Sequence, residues 1–412
     1  MFLGGQMGTF PSDFIWGTAT AAHQVEGNNT SSDFWLLEHV EPTLFVEPSG
    51  DACDHFHLYE QDVRLLKELG FNAYRFSIEW ARVEPEKGEF SNAALEHYRR
   101  MTTYVRDQGL TPIVTLQHFT TPLWFAREGG FEAEDAPEHF ANYASVMADV
   151  LGDVWGTVCT INEINLPMRF LDDKVLGDPA RLIKYHDAAR HRCGAEEFSS
   201  FFLGDIEKAA EGMKQSHRRA VEAIRARGSK VPIGVTLAIQ DEQAIAGGEE
   251  ARDRARKRCV DDFLDITKGD DFVGVQTYTR STYGPEGRVP LSDGTETTQM
   301  GYEFYPQALE QTIRYTAAYT QLPVFVTENG IGTDDDSRRI AYVETALEGV
   351  KNCLADGINV QGYCYWSMLD NYEWMLGYRP TFGLIAVDRI TQTRTVKPSA
   401  RWLGNYIKQI NG

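Results

Sequence analysis

The sequence predicts a (β/α)8 barrel with its site at the C-terminal ends of the strands. Three observations carry that reading: eight short β-rich runs, a helical stretch after each, and chemistry-bearing residues gathered where the runs end. The first run is "FIWGTATA" at 14–21, followed by "HLYEQDVRLLKELG" at 57–70. There Leu58, Val63, Leu66 and Leu69 recur at helical spacing and Gly70 is a stop. The next three runs are "AYRFSIEW" at 73–80, "TPIVTLQH" at 111–118 and "TVCTINE" at 157–163, with helices expected near 92–109, 137–152 and 205–228. Then come "VPIGVTLAI" at 231–239, "DFVGVQTY" at 271–278, "PVFVTE" at 323–328 and "VQGYCYWS" at 360–367. Their helices are expected near 255–267, 302–320, 337–356 and 397–409. Most runs are nearly continuous in apolar residues, as parallel strands covered on both faces require. A doubly wound open sheet shares this alternation and is the alternative. Residues 1–412 read as one such domain, with long loops at about 164–204 and 279–301 shaping the entrance to the cleft.

Composition bounds the function. The chain has 412 residues, 42% hydrophobic and 24% charged, within the range of soluble globular proteins. A formal net charge of -20 argues against nucleic acid and acidic membranes as partners. Six cysteines occur, none in a CxxC pair, and Cys159 and Cys364 lie inside apolar runs. That usage favours a reducing compartment. The start, "MFLGGQMGTF", lacks a basic segment and a long apolar core, so no leader is expected. No apolar run approaches the roughly 18 residues of a membrane span, and a cytoplasmic location is expected.

The strand ends are unusually polar. The second strand contains Arg75; the third ends at His118; the fourth ends in Asn162-Glu163. The sixth carries Gln276 and Tyr278, and the seventh ends at Glu328. The eighth ends in Trp366-Ser367 and runs into Asp370, Glu373 and Trp374, while Gln24 and Glu26 follow the first. A lone carboxylate at a strand end can be a solvated turn. Two on one rim, among amides and indoles, fit glycoside cleavage. One acid protonates the departing oxygen while the other attacks the anomeric carbon or activates water.

The segments "TINE", "TENG" and "WSMLDNYEW" resemble the signatures of glycoside hydrolase family 1, the β-glucosidase family. So do "FIWGTATAAHQVEG", "YRFSIEWARVEP", "TLQHFTTPLW" and "GYRPTFGLIAVD…RTVKPSARW", in order along nearly the whole chain. The resemblance implies a retaining β-glycosidase, with Glu163 as acid/base and Glu328 as nucleophile. It implies sugar contacts from Gln24, His118, Asn162, Glu373 and Trp374, with Trp366 as the floor. Tyr278 and Arg75 then hold the nucleophile, and Tyr278 is also expected to line the sugar site. Arg75 and Tyr278 should favour the ionised form of Glu328, and burial beside Glu328 should raise Glu163. Retention places the two carboxyls roughly 5 Å apart, against about 6.5–9.5 Å for inversion.

Three positions depart from the family pattern: Ile164 where Pro is usual, Gln276 where Asn is usual, and Phe119 where Trp is common. An anionic Glu373, with no Lys or Arg between 367 and 377, argues against a 6-phosphate. The expected substrate is a small β-glucoside or oligosaccharide. β-Galactoside or β-fucoside cleavage, transglycosylation, and a silent sugar-binding protein are the rivals. No cofactor or metal is implied. Asp54, His55 and His57 are poorly spaced for a metal, and no GxSxG elbow or phosphate loop occurs. The oligomeric state is left open.

Overall fold

The computed structural model describes residues 10–411. Nearly all of the segment read for a leader, up to residue 9, therefore lies outside the described residues. Eight strands form the centre: β1 (Ile15–Ala19), β2 (Ala73–Ser77), β3 (Thr111–Gln117), β4 (Thr157–Ile161), β5 (Ile233–Ala238), β6 (Phe272–Gln276), β7 (Val324–Asn329) and β8 (Val360–Trp366). Each pairs in parallel with its sequence neighbour, and β8 pairs with β1, so the sheet closes. Closure rules out the open-sheet alternative. Every strand falls within one residue of an expected run or inside it.

The helices form where caps and periodicity allow. Ser91 accepts a hydrogen bond from the Ala94 amide and opens Asn92–Asp107, and Asp205 does the same for Ile206–Ala226 through Lys208. Gly70, at φ 105°, closes His55–Leu69 as expected. Asp335, within the run Asp334-Asp335-Asp336, accepts from the Ser337 amide and caps Asp336–Ala355. The helix expected from 302 begins at Ala308 instead, because Pro306 disfavours helical backbone at Tyr305. The stretch expected as one helix near 255–267 is Glu249–Arg256, a π turn at Lys257–Asp261 and two short turns to Thr267.

Both long loops carry structure of their own. The excursion after β4 contains helices Leu166–Asp172 and Pro179–Cys193. Arg280–Gly284 and Gly287–Arg288 join Asp241–Ala244 in a three-stranded sheet above the barrel. Trp80, Trp124 and Trp155 are buried, and Trp35 is half-buried. All six cysteines are free. Among the described residues no helix is long and apolar enough to cross a membrane.

Candidate active site

β7 is not a regular strand. Val326 pairs with Val275 of β6, but Glu328 pairs with Gln276, so Thr327 is an extra residue in the ladder. The same slip appears against β8, where Val326 faces Tyr363 and Asn329 faces Tyr365. Asn329 pins the bulge, donating to the Thr277 carbonyl at 2.7 Å and accepting from the Tyr363 hydroxyl at 2.9 Å. Gly330 lets the chain leave: a Cβ there would sit 1.9 Å from the Trp366 carbonyl oxygen.

Glu328 emerges from this bulge 3% exposed, with both oxygens engaged. Arg75 Nη1 donates to Oε1 at 2.6 Å, Gln276 Nε2 to the same oxygen at 3.1 Å, and the Tyr278 hydroxyl to Oε2 at 2.6 Å. The second Arg75 nitrogen donates to Asn162 Oδ1 at 2.5 Å, which also accepts from Gln276 at 2.8 Å and Thr236 at 3.2 Å. Asn162 in turn donates to His118 Nε2 at 3.0 Å. With Nε2 accepting, the network assigns the ring proton to Nδ1. Burial and the Arg75 charge hold His118 well below its ordinary value, so it stays neutral.

Glu163 is placed differently. It follows β4 with its amide bonded to Thr236 Oγ1 at 3.1 Å, and its backbone is left-handed at φ 45°. Its carboxyl has no hydrogen-bond partner among the described residues. Burial, then the Glu328 charge, push it well above the usual carboxylate range, with Arg75 opposing. Burial also raises Glu328, outweighing Arg75 and Tyr278. Arg75 and Tyr278 favour the ionised form as expected, and they restrain a rise that desolvation sets. Tyr278 and Arg75 are themselves raised, so one stays a hydroxyl and the other a cation.

Rings line the other side. Trp366, His118, Trp374 and His23 follow one another with interplanar angles of 28°, 26° and 7°. His23 is held by Glu38 at 2.7 Å and Asn29 at 3.0 Å. Gln24 donates to the Tyr372 carbonyl at 2.7 Å and to Asn371 Oδ1 at 3.2 Å. Burial and the Glu328 charge push Glu373 up to about 8. The expected anion at Glu373 is therefore largely a neutral carboxyl in the free site near pH 7. Among the described residues nine non-glycine positions have left-handed backbone, and three of them, Phe119, Glu163 and Trp374, lie here, as strained positions at functional sites do.

The structure thus gathers the expected residues around one network of bonds, rings and charges at the strand ends. Two of the polar rim residues belong elsewhere. Glu26 pairs with Arg82 at 2.8 Å and Asp370 with Lys397 at 2.8 Å. Tyr278 spends its hydroxyl on Glu328. His55 bonds Asp62 at 2.8 Å and Tyr74 at 3.0 Å, while His57 sits exposed on Asp54. The sequence reading missed Thr236, His23 and Asn371, and noted Gln276 at its strand end and as a departure without giving it a role. Tyr302 was also missed; burial raises its hydroxyl, and the Glu163 and Glu373 charges add to the rise.

Comparison with known proteins agrees. The family model described as glycosyl hydrolase family 1 matches residues 6–274 and 275–411. "Beta-glucosidase A" of Acetivibrio thermocellus is 29% identical, covering 97% of this chain and 98% of its own. "Bifunctional beta-D-glucosidase/beta-D-fucosidase" of Bifidobacterium breve is 31% identical over 97% and 98%. The crystal structure of the beta-glycosidase BGL167 superposes with a TM-score of 0.93 at 50% identity, covering 97% of each chain. A Thermotoga maritima beta-glucosidase in complex with deoxynojirimycin superposes at 0.85 with 26% identity, covering 98% of this chain and 99% of its own. The chain belongs to glycosyl hydrolase family 1 and is an O-glycosyl hydrolase.

Proposed function

We propose that the protein is a retaining β-glycosidase that removes terminal β-D-glucosyl residues by double displacement. The observation that supports it best is the asymmetry of the two carboxyls. Glu328 has three donors on its two oxygens, which orient it and hold it ionised against burial. The Glu163 carboxyl has no hydrogen-bond partner among the described residues and a neighbouring negative charge, so it carries the proton.

In the first step Glu328 attacks the anomeric carbon and forms an ester. The bond from that carbon to the aglycone oxygen breaks, and Glu163 gives its proton to the departing oxygen. The ester removes the Glu328 charge, so Glu163 becomes more acidic and can take a proton from water. That water attacks the anomeric carbon, Glu328 leaves as a carboxylate, and Glu163 is protonated again. Buried, unpartnered atoms are ready for hydroxyls: Gln24 Oε1 can accept and His118 Nδ1 can donate. Trp366 offers its face, and Glu373 and Trp374 close the far side of the ring. A neutral Glu373 still supplies no cation for a 6-phosphate.

Proton NMR of 4-nitrophenyl β-D-glucoside during turnover tests the reading. β-Glucose is expected first. α-Glucose first would overturn the covalent step, and no turnover of any β-glycoside would leave the silent sugar-binding protein standing. The likeness to the bifunctional beta-D-glucosidase/beta-D-fucosidase of Bifidobacterium breve favours β-fucoside as a second substrate for the same site.

A further inference from the structure

A general acid must be held within hydrogen-bond reach of the oxygen it protonates. The Glu163 carboxyl has no hydrogen-bond partner of its own among the described residues, so its direction comes from the backbone that carries it. That backbone is left-handed at φ 45°. A residue with a side chain keeps this conformation only where its surroundings impose it.

The β4–β5 ladder pairs Val158 with Ile233 and Cys159 with Gly234, and so stops short of Glu163. Beyond it, three consecutive residues are tied to β5 one after another. The Glu163 amide donates to Thr236 Oγ1 at 3.1 Å, and the Ile164 amide to the Thr236 carbonyl at 3.2 Å. A proline, usual at position 164 in the family, has no amide proton for the second bond. Asn165 then grips Ala238 from both sides. Its Oδ1 accepts from the Ala238 amide at 2.8 Å, and its Nδ2 donates to the Ala238 carbonyl at 2.7 Å. The other Nδ2 proton goes to the Cys259 carbonyl at 2.8 Å. Cys259 lies in the π turn Lys257–Asp261, an irregularity of the kind that gathers at functional sites. Asn165 is fully buried, with both protons and its oxygen engaged by backbone.

We infer that Asn165 is a positioning residue for the acid/base. With Thr236 and the Ile164 amide it locks the left-handed turn that aims the Glu163 carboxyl. The inference rests on the glycosidase reading. Arg169, one helical turn further on, bonds the Tyr283 hydroxyl at 2.8 Å and Glu242, which ties the next turn down as well.

The test compares kcat/KM for 2,4-dinitrophenyl and phenyl β-D-glucoside in Asn165→Leu. The first leaving group departs without a proton and the second needs one. Loss of folded enzyme scales both rates alike and leaves their ratio unmoved, so the ratio reads proton delivery. Phenyl glucoside is expected to slow roughly a hundredfold, as for a catalytic group misplaced by about 1 Å. Dinitrophenyl glucoside should slow less than about threefold. Asn165→Ser keeps one hydroxyl for these carbonyls and covers the case of a leucine variant that does not fold; its ratio should shift at least about threefold. An unchanged ratio in the Asn165 variants, beside a shifted ratio in Glu163→Gln, would overturn the inference and leave the acid assignment standing. An unchanged ratio in Glu163→Gln itself would remove the acid assignment, and the inference with it.

Discussion

The cluster at the strand ends and the excursion above it are built on opposite principles. The Glu328 carboxylate and the Asn162 side-chain oxygen each accept several bonds, and these run between strands far apart in sequence: Arg75 on β2, Thr236 on β5, Gln276 on β6. In a buried site such a network is stiff, because breaking one bond strands a partner without water. The excursion from 164 to 205 instead presents aromatic and aliphatic faces, where contacts can slide at small cost. The difference separates two tasks. A carboxylate held by several donors is fixed in direction, whereas packed apolar faces fix area and not direction.

Substitutions can break that contrast, and the largest effect is expected on the cluster. Glu328→Gln should cost roughly 10⁴-fold or more in kcat, as loss of a covalent nucleophile does. It should also lower the pKa of Glu163 by removing the neighbouring charge, which can be read by following that carboxyl in a ¹³C-labelled sample. Retained activity would end the two-carboxyl assignment. Glu163→Gln should slow poor leaving groups by about 10²–10⁴-fold and dinitrophenyl glucoside far less in its first step. Equal slowing would count against Glu163 as the acid.

Smaller effects sharpen the contrast. The pH profile of kcat/KM should be bell-shaped, rising as Glu328 ionises and falling as Glu163 does, with both limbs above the ordinary carboxylate range. Tyr278→Phe removes a donor from the charged form of Glu328, so its acidic limb should move to higher pH. A limb that stays put would mean the hydroxyl has no part in holding Glu328 ionised. The smallest effect is expected at the seam between the two regions. Asp33 accepts from the Thr121 and Phe34 amides on the barrel side and from Ser200 of the excursion. Burial raises it from 3.8 to about 7. A raised carboxyl is disfavoured when ionised, so this stability is full below about pH 4 and is lost as pH rises through 7. Asp33→Asn can keep the three bonds without the charge. It should flatten the fall in Tm between pH 4 and 8 by a few °C, and an unchanged slope would place the titrating group elsewhere.

The barrel was legible because each buried strand is a compact apolar run, and the strand-end acids stood out against it. The Pro179–Cys193 helix was legible too. Asp178 accepts from the Ala180 amide, Pro179 opens the first turn, and Gly194 ends it at φ 66°, yet the segment read as loop. Its weak apolar periodicity explains why: only Tyr185 and Ala189 are buried. The small sheet above the barrel was not legible, since "DEQA" has no strand character and its partners lie about forty residues on. Thr236 and His23 gave no signal either. Their roles come from pairing with residues distant in sequence, and a single chain does not announce that. Gln276 was noticed as an oddity, but only the geometry shows one amide nitrogen shared by Glu328 and Asn162.

The extra residue at Thr327 has a meaning for anyone who would transplant this chemistry. Val326 pairs with Val275, and Glu328 with Gln276, whose side chain points to the barrel interior. Side chains alternate along a strand, so without the bulge residue 328 would share the face of Val326, toward the surrounding helices. A glutamate grafted onto a regular barrel strand at this height would be aimed away from its substrate. What has to be copied is a backbone irregularity four residues long, with the acid as only one of its parts.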